Sequence, residues 1–139
     1  FTNGGFNLLH VGHIRSLRDA KRRGDILVVA VHSDRSVRAN KGEDYPLIPE
    51  DERLEVLSEL ASVDLLTVFS EPTVDGLLLK LKPHVHAKGT DYTPETVPER
   101  ATVLSYGGEI AIVGDPKDHA ASRIIERIRE YGSTRPDPA

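Results

Sequence analysis

The stretch Asn3-Gly4-Gly5-Phe6-Asn7-Leu8-Leu9-His10-Val11-Gly12-His13 carries the residue types and spacing that phosphate chemistry needs. It reads as the end of a strand, a glycine loop, and two histidines as a helix begins. Glycines let a backbone approach a phosphate, and a helix N-terminus offers unpaired N–H donors with partial positive charge. His10 and His13 stand three residues apart, so the first helical turn points both imidazoles the same way. A donor pair beside a phosphate cradle suits chemistry at phosphorus better than chemistry at a carbonyl.

Such a site needs elements to hold it, and the rest of the chain supplies them. Residues 1–3 read as the exit of a first strand. A helix over 11–23 turns Val11, Ile14, Leu17 and Ala20 to one face. Lys21, Arg22 and Arg23 in its last turn complement the helix dipole, and Gly24 follows as a stop. Residues 26–31 form an apolar, Val-rich run, the pattern of a parallel strand covered on both faces. His32-Ser33-Asp34 then falls at the carboxyl edge of the sheet, where open α/β folds bind ligands. Residues 35–46 read as a long polar loop carrying Lys41-Gly42.

Pro49 with Glu50, Asp51 and Glu52 marks a helix start, with Leu54, Leu57, Leu60 and Ala61 as its buried stripe. A third strand is expected over 63–69, then a short helix capped by Thr73 and ended by Pro83. The fourth strand covers 84–88, residues 89–94 form a loop, and 95–106 form a helix interrupted by Pro98. The fifth strand covers 109–113. A last helix over 119–131 turns Ile124, Ile125 and Ile128 inward and stops at Gly132, leaving 133–139 as a flexible tail. Strands alternating with helices imply an α/β, Rossmann-like parallel five-stranded sheet with helices on both faces, in one domain over 1–132.

Composition narrows the function. The 139 residues suit one domain with a core, and the formal net charge of −4 argues against a general nucleic-acid binder. There is no Cys, so no disulfide framework or thiolate metal site. That fits a cytoplasmic protein. No apolar run reaches membrane-span length. The chain opens on Phe1 and contains no Met, so we expect a missing N-terminal piece that completes the first strand. A second domain before Phe1 stays open. His32, His84, His86 and His119 lack metal-ligand spacing and read as structural or surface residues.

The opening stretch resembles the His-x-Gly-His signature of the cytidylyltransferase-like nucleotidyltransferases. Further positions match in order: Ser33-Asp34 after the second strand, Lys41-Gly42, and Glu52-Arg53 with Leu57. Lys88-Gly89-Thr90-Asp91-Tyr92 looks like the Lys-Gly-Gly-Asp-Tyr of the heptose 1-phosphate adenylyltransferase domain, which favours ATP over CTP. The resemblance implies transfer of a nucleotidyl group to a small phosphorylated acceptor, with Mg2+ carried by the nucleoside triphosphate and pyrophosphate leaving. It also implies a homodimer.

By the same resemblance His10, His13 and Lys41 are the catalytic residues, with Lys41 neutralising phosphate oxygens. Asn3, Gly4, Gly5, Phe6, Asn7, Gly12, Lys88, Gly89, Asp91, Tyr92 and Ser122 would bind nucleotide. Lys41 as a solvated loop residue, and Lys88 as an anchor for its own loop, stay open. Arg53 is expected to pair with a carboxylate rather than meet substrate.

Two positions depart from the family pattern. Asn7 replaces the usual Asp, and Ala120-Ala121-Ser122 replaces a Ser/Thr cluster that binds triphosphate. Two lost hydroxyl contacts of about 1 kcal/mol each weaken affinity roughly thirtyfold. Lys117, Arg123 or a charged His119 could replace them in part. These departures keep a nucleotide-binding module without catalysis as the alternative, beside a CTP- or GTP-using transferase acting on glycerol 3-phosphate or another small phosphate.

Overall fold

The computed structural model describes residues 1–116 and 120–134. Its elements run β1 (Thr2–Gly4), α1 (Val11–Arg22), β2 (Val28–His32), α2 (Asp34–Lys41), α3 (Glu50–Ser58), β3 (Leu65–Phe69), α4 (Asp75–Leu81), β4 (Val85–Gly89), α5 (Arg100–Ser105), β5 (Glu109–Val113) and α6 (Ala121–Thr134). All pairings are parallel, with Ala30 facing Asn3 on one side and Thr67 on the other.

The strands form two sheets, β1-β2-β3 and β4-β5, rather than the single five-stranded sheet expected. The seam lies between β1 and β4. The Phe1 nitrogen donates to the Val85 carbonyl and the Ala87 N–H to the Phe1 carbonyl, both at 2.8 Å. Next along the seam the Thr2 hydroxyl donates to the Ala87 carbonyl at 2.9 Å.

The Val-rich centre of β2 explains the layering. Val29 and Val31 face a cluster with Leu17 and Ala20 of α1, Leu57 of α3 and Val113 of β5. Ala30 between them faces the other side, with Phe69, Val74, Leu78 of α4 and Val103 of α5. Alternate side chains of one strand thus serve two helical layers.

Several boundaries differ from expectation. The expected loop over 35–46 is largely α2. This helix buries only Ser36 and Val37, so it shows no apolar stripe, and its end signals define it instead. The Ser33 hydroxyl accepts from the Ser36 N–H, Asp34 sits in the first turn, and Gly42 closes the end. Thr73 does not cap α4; Val74 holds that position without a side-chain bond. In α3's stripe Leu57 is buried but Ala61 is exposed beyond the helix end, and α5 starts only at Arg100. Ile128 points outward rather than into the core. Gly132 does not stop α6, which runs to Thr134. The readings of Lys117, of His119 and of residues 135–139 lie outside the described residues.

Candidate active site

The two signature histidines build the start of α1 themselves. His10 is the N-cap, and its Nδ1 accepts from the Gly12 N–H at 3.1 Å. The His10 N–H in turn donates to Nδ1 of His13 at 3.2 Å. This is a capping box with imidazoles in place of the usual hydroxyl and carboxamide. A main-chain N–H can only donate, so each Nδ1 carries a lone pair and each neutral ring bears its proton on Nε2. The rings lie side by side, centroids 4.0 Å apart. Burial, with the neighbouring His10 second, lowers the His13 pKa from 6.5 to about 4.

The glycine loop is shaped by Phe6. Its φ of 51° is in the left-handed region, a strained state for an aromatic residue. The turn lays the Phe6 ring against His13, 5.3 Å between centroids. It also brings the ring so near Gly4 that a Cβ there would sit 3.0 Å from it.

A cavity of about 440 Å³ opens at the carboxyl edge, lined by His10, Gly12, His13, Ser16, Lys41, Gly89, Thr90, Asp91, Asp115, Pro116, Ala120, Ala121 and Ser122. A smaller cavity of about 230 Å³ shares His13, Ser16 and Gly89 with it and adds Asn3, Gly4, Gly5 and Phe6. Residues distant in sequence thus converge, including all three expected catalytic groups. A larger cavity of about 580 Å³ lies at the amino ends of the strands, beside Arg23, Ile26, Leu81 and His84, away from the signature.

Three expected nucleotide contacts lie outside both cavities. Asn7 is buried, and its Oδ1 accepts from the Leu47 N–H at 2.6 Å, so it holds the segment after Lys41. The Lys88 ammonium lies 3.7 Å from the Glu99 carboxylate and 5.1 Å from the centre of the Tyr92 ring, which anchors the 89–92 loop. Burial alone would push the Glu99 carboxyl up, but its hydrogen bond with His86 and the Lys88 charge outweigh this and hold it below the usual range.

Ser16 and Asp115 line the main cavity without having been singled out in the sequence, and so does Thr90, which the Lys88–Tyr92 motif contains without a role. Ser16 follows His13 by three residues on the same helix face, a signal that periodicity alone could have supplied. Gly114, at φ +89°, packs directly on Ser16, and its N–H donates to Asp19 at 3.1 Å. Asp115 pairs with Arg15 at 2.7 Å, and its carbonyl accepts from the Thr90 hydroxyl at 2.8 Å.

Arg53 is almost fully buried and pairs with Asp34 at 2.9 Å, as the sequence suggests. It makes three further bonds, to the carbonyls of Ile48 (2.9 Å), Gly5 (2.6 Å) and His32 (2.8 Å). Burial, then the charges of Lys88, Arg53 and Lys41, lowers the His32 pKa. Cations therefore gather at this edge of a chain that is acidic overall.

Parallel strands, a glycine loop opening on a helix N-terminus, and cations at the carboxyl edge define a nucleotide-handling α/β domain of the nucleotidyltransferase type. A family model described as Cytidylyltransferase-like matches residues 1–130, and the chain belongs to that family. It is 48% identical over 130 residues to the bifunctional protein HldE of Pelobacter propionicus, covering 94% of this chain and 27% of that protein. Against the bifunctional protein HldE of Geobacter metallireducens, identity is 47% over 133 residues, 95% of this chain and 27% of the relative. The chain thus spans about a quarter of the length of these relatives. Among solved structures, the lipopolysaccharide core biosynthesis protein from Thermoplasma volcanium superposes with a TM-score of 0.71 at 30% identity, over 84% of this chain and 95% of that one. Among the described residues no helix is long and apolar enough to cross a membrane.

Proposed function

We propose that this domain transfers AMP from ATP to a sugar phosphate, heptose 1-phosphate being the favoured acceptor, with release of pyrophosphate. The observation that carries this reading is the convergence of His10, His13 and Lys41 on one cavity at a helix N-terminus. An acceptor phosphate oxygen attacks the α-phosphorus, and the bond to the bridging oxygen of pyrophosphate breaks. No covalent intermediate with the protein is needed, so the domain works by positioning and by stabilising charge.

His10 and the neutral His13 would donate from Nε2 to phosphate oxygens, while Lys41 supplies positive charge. Ser122 and the start of α6 would hold the triphosphate from the opposite wall. Asn3, Gly4, Gly5 and Phe6 border the same space from the loop side, and Gly12, Gly89 and Asp91 close it. Asp91 and Asp115 on the cavity wall suit a magnesium ion delivered by the triphosphate, since that ion takes one or two carboxylates with phosphate oxygens. When bound it would neutralise phosphate charge.

Adenine and a sugar phosphate are favoured by the Lys88–Tyr92 motif and by the similarity to HldE proteins. A homodimer is in keeping with the apolar face of α6, where Ile128 and Tyr131 are 62% and 56% exposed. Sedimentation tests that, and a cytoplasmic site belongs to the same reading.

The test is magnesium-dependent pyrophosphate release with ATP, CTP and GTP, each against heptose 1-phosphate and glycerol 3-phosphate. Release with ATP and the heptose alone is expected. Release with another pair reassigns the substrates and keeps the chemistry. Tight nucleotide binding with no release across the panel supports a binding module, to which Ala120 and Ala121 on the cavity wall would point.

A further inference from the structure

We infer that Arg53 is a positioning residue that sets Lys41 against the phosphate-binding loop, an inference that rests on the transfer reading above. Lys41 is exposed and ends α2, so its placement follows that of the helix and the segment after it. One guanidinium holds the start of the helix and the chain beyond its far end. Arg53 Nη2 meets Asp34, the first residue of α2, at 2.9 Å. Arg53 Nε meets the Ile48 carbonyl at 2.9 Å, beyond the segment that follows Lys41.

The same Nη1 that holds the β2 exit at His32 also donates to Gly5, at 2.8 and 2.6 Å. Residues 34–48 therefore form a loop of chain clasped at its base, and the clasp is bonded to the glycine loop. Asn7 adds a second tie from the glycine loop to Leu47. A planar guanidinium can serve three carbonyls and a carboxylate from one position, and an ammonium cannot. Arg53 itself lines neither cavity at the carboxyl edge, so its effect on turnover must pass through what it holds.

The test is a double-mutant cycle on the 139-residue chain with Arg53→Lys and Lys41→Ala, reading kcat and nucleotide KM by pyrophosphate release. Arg53→Lys is expected to lower kcat on the order of 10²-fold, the effect of misplacing a reacting group by about 1 Å, with KM changed far less. In the Lys41→Ala background the same substitution is expected to cost almost nothing more, because the residue it positions is gone. An equal loss in both backgrounds overturns the proposal.

Asp34→Ala releases only the start of α2 and runs through the same cycle if Arg53→Lys does not fold. Amide hydrogen exchange gives a readout independent of turnover. Faster exchange at 42–48, with β2 unchanged, is expected in the variant that folds. Unchanged or uniformly faster exchange contradicts the clasp. If the unmodified chain releases no pyrophosphate with any pair, the transfer reading fails, and exchange alone decides the role of Arg53.

Discussion

Nδ1 of His13 accepts the main-chain N–H of His10, 3.2 Å away, so the second signature histidine caps the helix that the first one begins. Cap and donor are two ends of one ring. Nδ1 is spent on the backbone, and Nε2 keeps the proton that phosphate oxygens can use.

That division separates stability from turnover. An Asn at position 13 can accept from the His10 N–H but cannot reach the Nε2 position. His13→Asn is expected to stay within about 1 kcal/mol of the parent in urea unfolding. Its kcat should fall roughly 10²–10³-fold, the cost of losing one preorganised donor. His13→Ala should lose both.

Acidity should act on the same residue. The His13 pKa is about 4 in the folded chain against an ordinary 6.5. Above pH 6.5 the ring is neutral folded or unfolded, and the cap contributes fully. As pH falls from 6.5 towards 4 the unfolded chain takes up a proton that the folded chain refuses, so stability declines over that window. His32, also lowered, adds in the same direction. Urea midpoints across pH 4–7 should show a shallower decline for His13→Asn. The imidazole itself, followed by NMR, should titrate near pH 4.

Asn7 is expected to matter through its grip on Leu47 rather than through its charge. Asn7→Asp keeps an acceptor for the Leu47 N–H and should leave turnover within about threefold. Asn7→Leu strands that N–H and should cost about 1–3 kcal/mol in thermal unfolding. A large gain in turnover from Asn7→Asp would instead mark a decayed site.

Ala120 and Ala121 line the cavity that would take the triphosphate. Replacing them with Ser and Thr should tighten ATP binding up to about thirtyfold in calorimetric titration, at about 1 kcal/mol per new hydrogen bond. No change would place the triphosphate elsewhere.

Gly114 reports on how tightly β5 is pressed against α1. Its φ of +89° and its contact with Ser16 leave no room for a methyl group. Gly114→Ala should cost about 1–3 kcal/mol in urea unfolding.

Much of this arrangement was legible in the sequence, and the exceptions share a cause. The 109–113 strand and the Val-rich β2 announce themselves by apolar runs, and the signature fixes where α1 begins. α2 escapes because its stabilisation is at its ends, in Ser33, Asp34 and Gly42, rather than along an apolar face. The split between the sheets lies in how β1 meets β4, a long-range pairing that periodicity does not encode. At the site, His10, His13 and Lys41 converge as their motif suggests. Lys88 meets Glu99 and the Tyr92 ring, and Asn7 meets Leu47, contacts between residues distant in the chain that the motifs do not announce. The four bonds of Arg53 join residues far apart in the chain, so one of them is foreseeable and the set is not.

The most direct measurement follows phosphorus through the reaction. ATP labelled at the α-phosphorus, incubated with magnesium, heptose 1-phosphate and the chain, should pass its label to a new sugar diphosphate nucleotide, while γ-labelled ATP gives labelled pyrophosphate only. His10→Ala and His13→Ala should each slow the appearance of both labelled products roughly 10²–10³-fold. An α-label that ends in free ADP or AMP, or transfer that survives loss of both histidines, would contradict the assignment of this cavity as a nucleotidyltransferase site.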